Sequence, residues 1–143
     1  MNATSTPFSL RYAWARGLFE RGDHLAAAAA FAELLAEVES AESAAAAESA
    51  AADEADGEQP VLHSTTDLRT YLARAYFHSA QFGRAEEVVR GLIEESPTDG
   101  YAHLLLGRTL QRAGRHAEAA RPLALAEILG DYERPKAYGG PDE

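Results

Sequence analysis

The chain has 143 residues, 23 acidic against 13 basic side chains and a formal net charge of -10; that is the length of one ordinary domain and the wrong sign of charge for a protein that neutralises phosphates. With no cysteine, disulfides, thiol catalysis and cysteine-held zinc are excluded. Hydrophobic residues make up 46%, but about thirty of them are alanine, which buries little area each, so the core has to be built from closely packed helices. No apolar run approaches the roughly 20 residues that span a bilayer, and Met1 to Pro7 has neither a basic start nor an apolar leader stretch. The expectation is a cytoplasmic protein with no membrane and no nucleic-acid partner.

In chain order, Thr6-Pro7 predicts a helix start, with threonine as cap and proline in the first helical position. Trp14, Ala15 and Leu18 then place a small residue mid-helix between large apolar ones, which lets a neighbouring helix approach closely. Gly22-Asp23 predicts a tight turn into a second helix carrying Ala27 and Phe31. From Glu42 the composition changes to Ala, Ser and Glu. These residues favour helix, so the second helix is expected to run on past Ser43, but with no apolar face to pack. Gly57 to Pro60 has loop chemistry, and part of this segment is expected to be disordered. Ser64, Thr65 and Asp67 predict the start of a third helix with Leu72, Ala73 and Tyr76; Ala85 and Val89 mark a fourth, closed by Pro97. Leu106, Gly107 and Leu110 mark a fifth and Gly114 a turn. Ala119 and Leu123 mark a sixth, where Pro122 removes the bond to the Glu118 carbonyl and predicts a bend.

These elements repeat. Laying Ala73 on Gly107, an offset of 34, brings Leu72 onto Leu106, Arg74 onto Arg108, Tyr76 onto Leu110, Ala85 onto Ala119 and Val89 onto Leu123. Ala15 precedes Ala73 by 58, one such period plus an insertion of 24. The spacings Trp14-Ala15-x-x-Leu18 … Ala27-x-x-x-Phe31, Leu72-Ala73-x-x-Tyr76 … Ala85-x-x-x-Val89 … Pro97 and Leu106-Gly107-x-x-Leu110 … Ala119-x-x-x-Leu123 resemble the tetratricopeptide repeat. The resemblance spans three copies, roughly 8–41, 66–99 and 100–133, with an insertion at 42–65 and a tail at 134–143. It implies a single all-α domain, a right-handed solenoid of three antiparallel helix hairpins and six helices. The chain departs from the pattern at Arg11, Arg69 and His103, where a large apolar residue is usual, and at Leu34 and Leu92, where a second small one is. Twelve arginines to one lysine, with the alanine content, fit short proteins of this look from high-GC, actinobacterial-type genomes.

No catalytic motif is present, and none of the histidines 24, 63, 78, 103 and 116 stands four residues from another. No enzyme activity, cofactor or metal is therefore expected. His24, Phe82 and His116 match in the repeat and read as rings packed at the starts of second helices. The resemblance implies that each first helix turns its unpacked side to a concave groove. That side carries Ser9, Tyr12, Arg16, Phe19 and Glu20, then Asp67, Thr70, Arg74, Phe77 and His78, then Tyr101, Leu104, Arg108, Gln111 and Arg112. Arginine suits bidentate carboxylate recognition and aromatic neighbours add area. The expected function is a non-catalytic adaptor that binds an acidic peptide segment or a C-terminal carboxylate in this groove. The opposing reading pairs the cations locally, Arg16 with Glu20, and Arg74 with Thr70 and His78. Of the family's chaperone-tail carboxylate clamp only Arg108 matches; Tyr12, Arg16, Tyr71 and Leu104 stand at the other positions, so that ligand is not expected.

Charge placement adds a competitor. Segment 42–65 holds -6 of the -10 while 100–143 is neutral, so the acidic insertion is a candidate internal occupant of the groove. The tail Gly130 to Pro141 is too broken for a capping helix. Leu125, Ile128 and Leu129, exposed or covered by Tyr132 and Tyr138, form the alternative working surface, the face of a homodimer or self-assembling subunit.

Overall fold

A computed structural model describes residues 6–52 and 63–130, with the side chains of 49–52 and 63–64 excepted. The expected disorder around Gly57 to Pro60, and Tyr132 and Tyr138, lie outside these residues. The described chain holds six helices and no strand: α1 (Phe8–Glu20), α2 (His24–Ala52), α3 (His63–His78), α4 (Phe82–Glu95), α5 (Gly100–Arg112) and α6 (His116–Leu129). No helix among the described residues is long and apolar enough to cross a membrane.

Three turns between helices share one geometry. Asp23 N–H bonds the Leu18 carbonyl at 2.9 Å, Gln81 N–H the Tyr76 carbonyl at 2.8 Å and Arg115 N–H the Leu110 carbonyl at 2.8 Å. The residue before each donor takes a left-handed backbone: Gly22 at φ 88, Ala80 at φ 62 and Gly114 at φ 85. Carbonyls left over at the helix end are thereby satisfied, and glycine is the residue that does this without strain. The second helices start at the matching residues His24, Phe82 and His116.

The contacts divide the chain into two compact units, Met1–Val88 and Val89–Glu143. In the first, α2 packs against both α1 and α3. Ala15, Leu18, Ala27, Ala28, Phe31, Leu34, Leu68, Leu72 and Ala75 form its buried core. Ala15, Ala27, Ala73 and Ala85 are fully buried, the close-approach role expected of the small residues. Arg11 is tied across the hairpin to Glu37 through two hydrogen bonds of 2.7 Å. In the second unit α5 packs on α6, and a Cβ at Gly107 would collide with the Leu123 side chain. His103 is buried and its Nε2–H donates to the Pro97 carbonyl at 2.8 Å. Asp99 caps α5 by accepting from the Ala102 N–H at 3.2 Å. Pro122 lies buried inside α6, which continues to Leu129.

Two expectations change and one holds. Helix α1 begins at Phe8 with Pro7 as its cap residue and no side-chain cap bond; Pro7 has ψ 149, an extended value, so it stands outside the helix. As expected, helix α2 runs on past Ser43, reaching Ala52, and α3 starts at His63. Beyond Val38 the side chains of α2 are exposed through Glu48 except for Glu42, and its last 14 residues extend about 20 Å. Trp14, expected to pack as Leu72 and Leu106 do, is 61% exposed while they are buried.

Candidate functional site

Within Met1–Val88 the aromatic residues of α1 and α3 meet between their helices. Tyr71 is their centre. Its ring stacks on Phe31 at 5.3 Å between centroids and 17° between planes, and meets Tyr12 and Phe19 edge-on at 6.2 and 5.7 Å. Phe31 is fully buried on α2, so the platform is anchored in the core and Tyr71, half-buried, forms its outer layer.

Two guanidinium groups lie on this platform. Arg16 is 5.7 Å from the Tyr71 centroid and 5.9 Å from that of Tyr12. Arg74 is 5.6 Å from Tyr71 and 4.8 Å from Phe19. Each such contact is worth about 0.5–1 kcal/mol when exposed and more when desolvated. Neither arginine has a carboxylate partner among the described residues: Glu20, one turn from Arg16, is exposed and forms no ion pair with it. Thr70 donates its hydroxyl to the Thr66 carbonyl at 2.9 Å, not toward Arg74. Arg74 Nε is buried without a hydrogen-bond partner among these residues.

His24 closes one side. Its ring stacks on His78 at 4.6 Å and meets Phe19 edge-on at 4.8 Å. Burial holds His24 below the ordinary histidine value, the Arg74 charge adds to this and Asp23 opposes it. Burial also pushes the Tyr12 hydroxyl up, with Asp67 and Tyr71 acting the same way and Arg16 against. His78 continues the ring contacts to Phe77 at 5.2 Å, and Phe77 to Phe82 at 6.0 Å. No group of three or more His, Asp and Glu that could hold a metal occurs among the described residues.

The expected groove residues thus divide. Tyr12, Arg16, Arg74, Phe77 and His78 are linked through ring contacts in the first unit, and Thr70 lies on α3 with its hydroxyl on the Thr66 carbonyl. Phe19 is a correction: it was expected on the open side and is buried, with 7% of its surface accessible, because Arg74, His24 and Tyr71 cover it. Tyr101 and Leu104, half-buried, and Arg108, Gln111 and Arg112, exposed, lie along α5 in the second unit. Arg108 matches Arg16 and Arg74 in sequence but rests on no ring among the described residues. Sequence reasoning passed over Tyr71 and His24 as site residues. The available signal was the spacing of Tyr71 one turn before Arg74. His116, which matches His24, is exposed.

A separate cavity of about 280 Å³ in the first unit has walls of Ala32, Leu35, Leu72, Tyr76 and Val88 with Glu39, Arg84 and Glu87; it shares no residue with the arginine platform. At the end of α6, Ile128 is 76% exposed, and Leu125 and Leu129 are half-buried. Comparison of the chain with protein-family models, curated proteins and solved structures finds no match.

Proposed function

We propose that the chain is a non-catalytic interaction module of tetratricopeptide type, a stack of three helix hairpins, whose Arg16–Tyr71–Arg74 platform takes a carboxylate of an acidic peptide segment or C-terminus. The observation that carries this is two guanidinium groups resting on one tyrosine ring with no ion pair to an acidic side chain among the described residues. Stacking on rings pre-organises the guanidinium plane, so less freedom is lost when an oxygen binds. An acceptor reaching Arg74 Nε would also satisfy a buried donor, a group that costs about 1–3 kcal/mol when left bare.

The test is titration of a fluorescent acidic peptide, with free and with amidated C-terminus, into the wild-type chain and into Arg16→Ala and Arg74→Ala. Losing a charge-assisted hydrogen bond of about 1.5–3 kcal/mol weakens binding roughly 10- to 100-fold for Arg74→Ala. A preference for the free terminus identifies the C-terminal carboxylate as the ligand. Equal affinity of wild type and both variants at low salt would sink the proposal.

A second reading, a self-assembling subunit, draws its support from Ile128 on α6 and does not involve the platform.

A further inference from the structure

The same stripe of residues occurs on all three first helices and meets a different fate on one of them. Leu10, Trp14 and Gly17 of α1 match Leu68, Leu72 and Ala75 of α3, and Ala102, Leu106 and Thr109 of α5. The α3 and α5 stripes are buried throughout, at 6% accessibility or below. On α1, Leu10 is 59% and Trp14 61% exposed, and a Cβ added at Gly17 would meet nothing within 4 Å. The spacing i, i+4, i+7 puts the three on one side of α1, and the contacts of Tyr12 and Phe19 with Tyr71 put α3 on the other.

What covers the α3 stripe is known. Helix α2 lies against it, with Ala28 and Phe31 in one buried cluster with Leu68, Leu72 and Ala75, and Leu35 packed on that cluster. The repeat register carries Ala28 of that cluster and Ala32, packed on it, onto Ala120 and Ala124 of α6. Leu35 falls on Glu127, and the next apolar residue is Ile128, the counterpart of the exposed Ala36. Ala120, Ala124 and Ile128 are exposed, one above the other at i, i+4, i+8. One helix thus offers a bare apolar stripe, and another offers a bare apolar stripe of its own that includes two of the positions covering the equivalent stripe of α3.

We infer that α6 of one copy seats on α1 of the next, with Ala120, Ala124 and Ile128 against Leu10, Trp14 and Gly17, as α2 seats on α3. This names the partner surface for the self-assembly reading, on which it rests, and makes the contact heterologous, head to tail, instead of two-fold. Small residues on both sides, Gly17 and the two alanines, allow the helices to approach. Leu10 and Trp14 leave on the order of 250 Å² of side-chain surface bare. With Ala13, Gly17 and the Arg21 stem along the same three turns, each copy buries roughly 500 Å², at the low end for specific interfaces. The contact is therefore weak and populated only at high protein concentration.

The test uses Trp14→Glu and Ile128→Glu, both at exposed positions, each checked for unchanged helix content. Sedimentation of the wild-type chain from about 5 to about 500 μM is expected to give a mass that rises beyond a dimer. Each variant alone stays monomeric, and an equimolar mixture forms a dimer and stops there, because one intact head meets one intact tail. Trp14 is the single tryptophan, so the emission of the Ile128→Glu copy shifts to shorter wavelength as the tryptophan-free Trp14→Glu copy is added. A wild-type dimer that Ile128→Glu dissociates and Trp14→Glu leaves intact would overturn the head-to-tail contact and leave the self-assembly reading standing. A monomer at every concentration would overturn both. Should either glutamate variant lose helix content, Leu10→Gln and Ala124→Gln replace them in the same mixing experiment.

Discussion

Arg74 and Arg108 stand at the same place in the repeat, and their surroundings differ in kind. Arg74 lies on Phe19 and Tyr71 with its Nε buried, while Arg108 is exposed with no ring beneath it among the described residues. The difference comes from other positions. Tyr71, three residues before Arg74 on the same helix, has Leu105 as its counterpart three residues before Arg108. A guanidinium becomes a recognition element through the rings that orient it and strip water from it, so a row of matched arginines is not by itself a row of matched sites.

Five measurements press on that comparison. Phe31→Ala removes the buried ring under Tyr71 and is expected to destabilise the first unit by about 3–5 kcal/mol, with peptide binding lost at temperatures where the fold persists; denaturant unfolding with binding read in parallel checks it. Arg74→Ala weakens peptide binding roughly 10- to 100-fold, whereas Arg108→Ala changes it less than about 3-fold. Similar losses for the two would erase the contrast between the units. Gly107→Ala forces Leu123 aside in the second unit and costs about 1–3 kcal/mol in thermal unfolding, although alanine is the resident residue at the matching Ala15 and Ala73.

The remaining two effects are smaller. His24 titrates below the ordinary value of 6.5 when folded, so the unfolded chain takes up the proton first. Its contribution is complete above 6.5 and is lost as pH falls through the folded value. Melting temperatures measured down through this range should decline, and the decline should shrink in His24→Phe, which keeps a flat ring. Ala80→Gly relieves a left-handed backbone that costs an L-residue roughly 1–2 kcal/mol. A net stabilisation of about 0.5–1 kcal/mol is expected after glycine's greater chain entropy is subtracted, while the matching Gly22 and Gly114 leave no such gain.

Much of the architecture was legible in local pattern. Gly22 and Gly114 marked their turns because a left-handed helix stop favours glycine wherever it occurs. Ala80 escaped notice because alanine adopts that conformation only when the following helix holds it there. The arginines and most of the rings of the platform were legible as a stripe, since helical spacing determines which side chains share a side. Phe19 was assigned to the wrong environment and Tyr71 was passed over. Both depend on how α1 and α3 approach each other, and spacing within a single helix carries no record of that approach.

The sequence alone determined six helices, the turns at Gly22 and Gly114, the starts of the second helices at His24, Phe82 and His116, and the burial of Ala15, Ala27, Ala73, Ala85, Gly107 and Ala119. These follow from propensity, turn chemistry and periodicity, which act over a few residues. Only the tertiary structure decided that Trp14 is bare where Leu72 is covered, that Arg74 rests on Phe19, and that Tyr71 stands at the centre of the platform. Burial belongs to a pair of surfaces, and a residue is buried only where another element comes to lie on it.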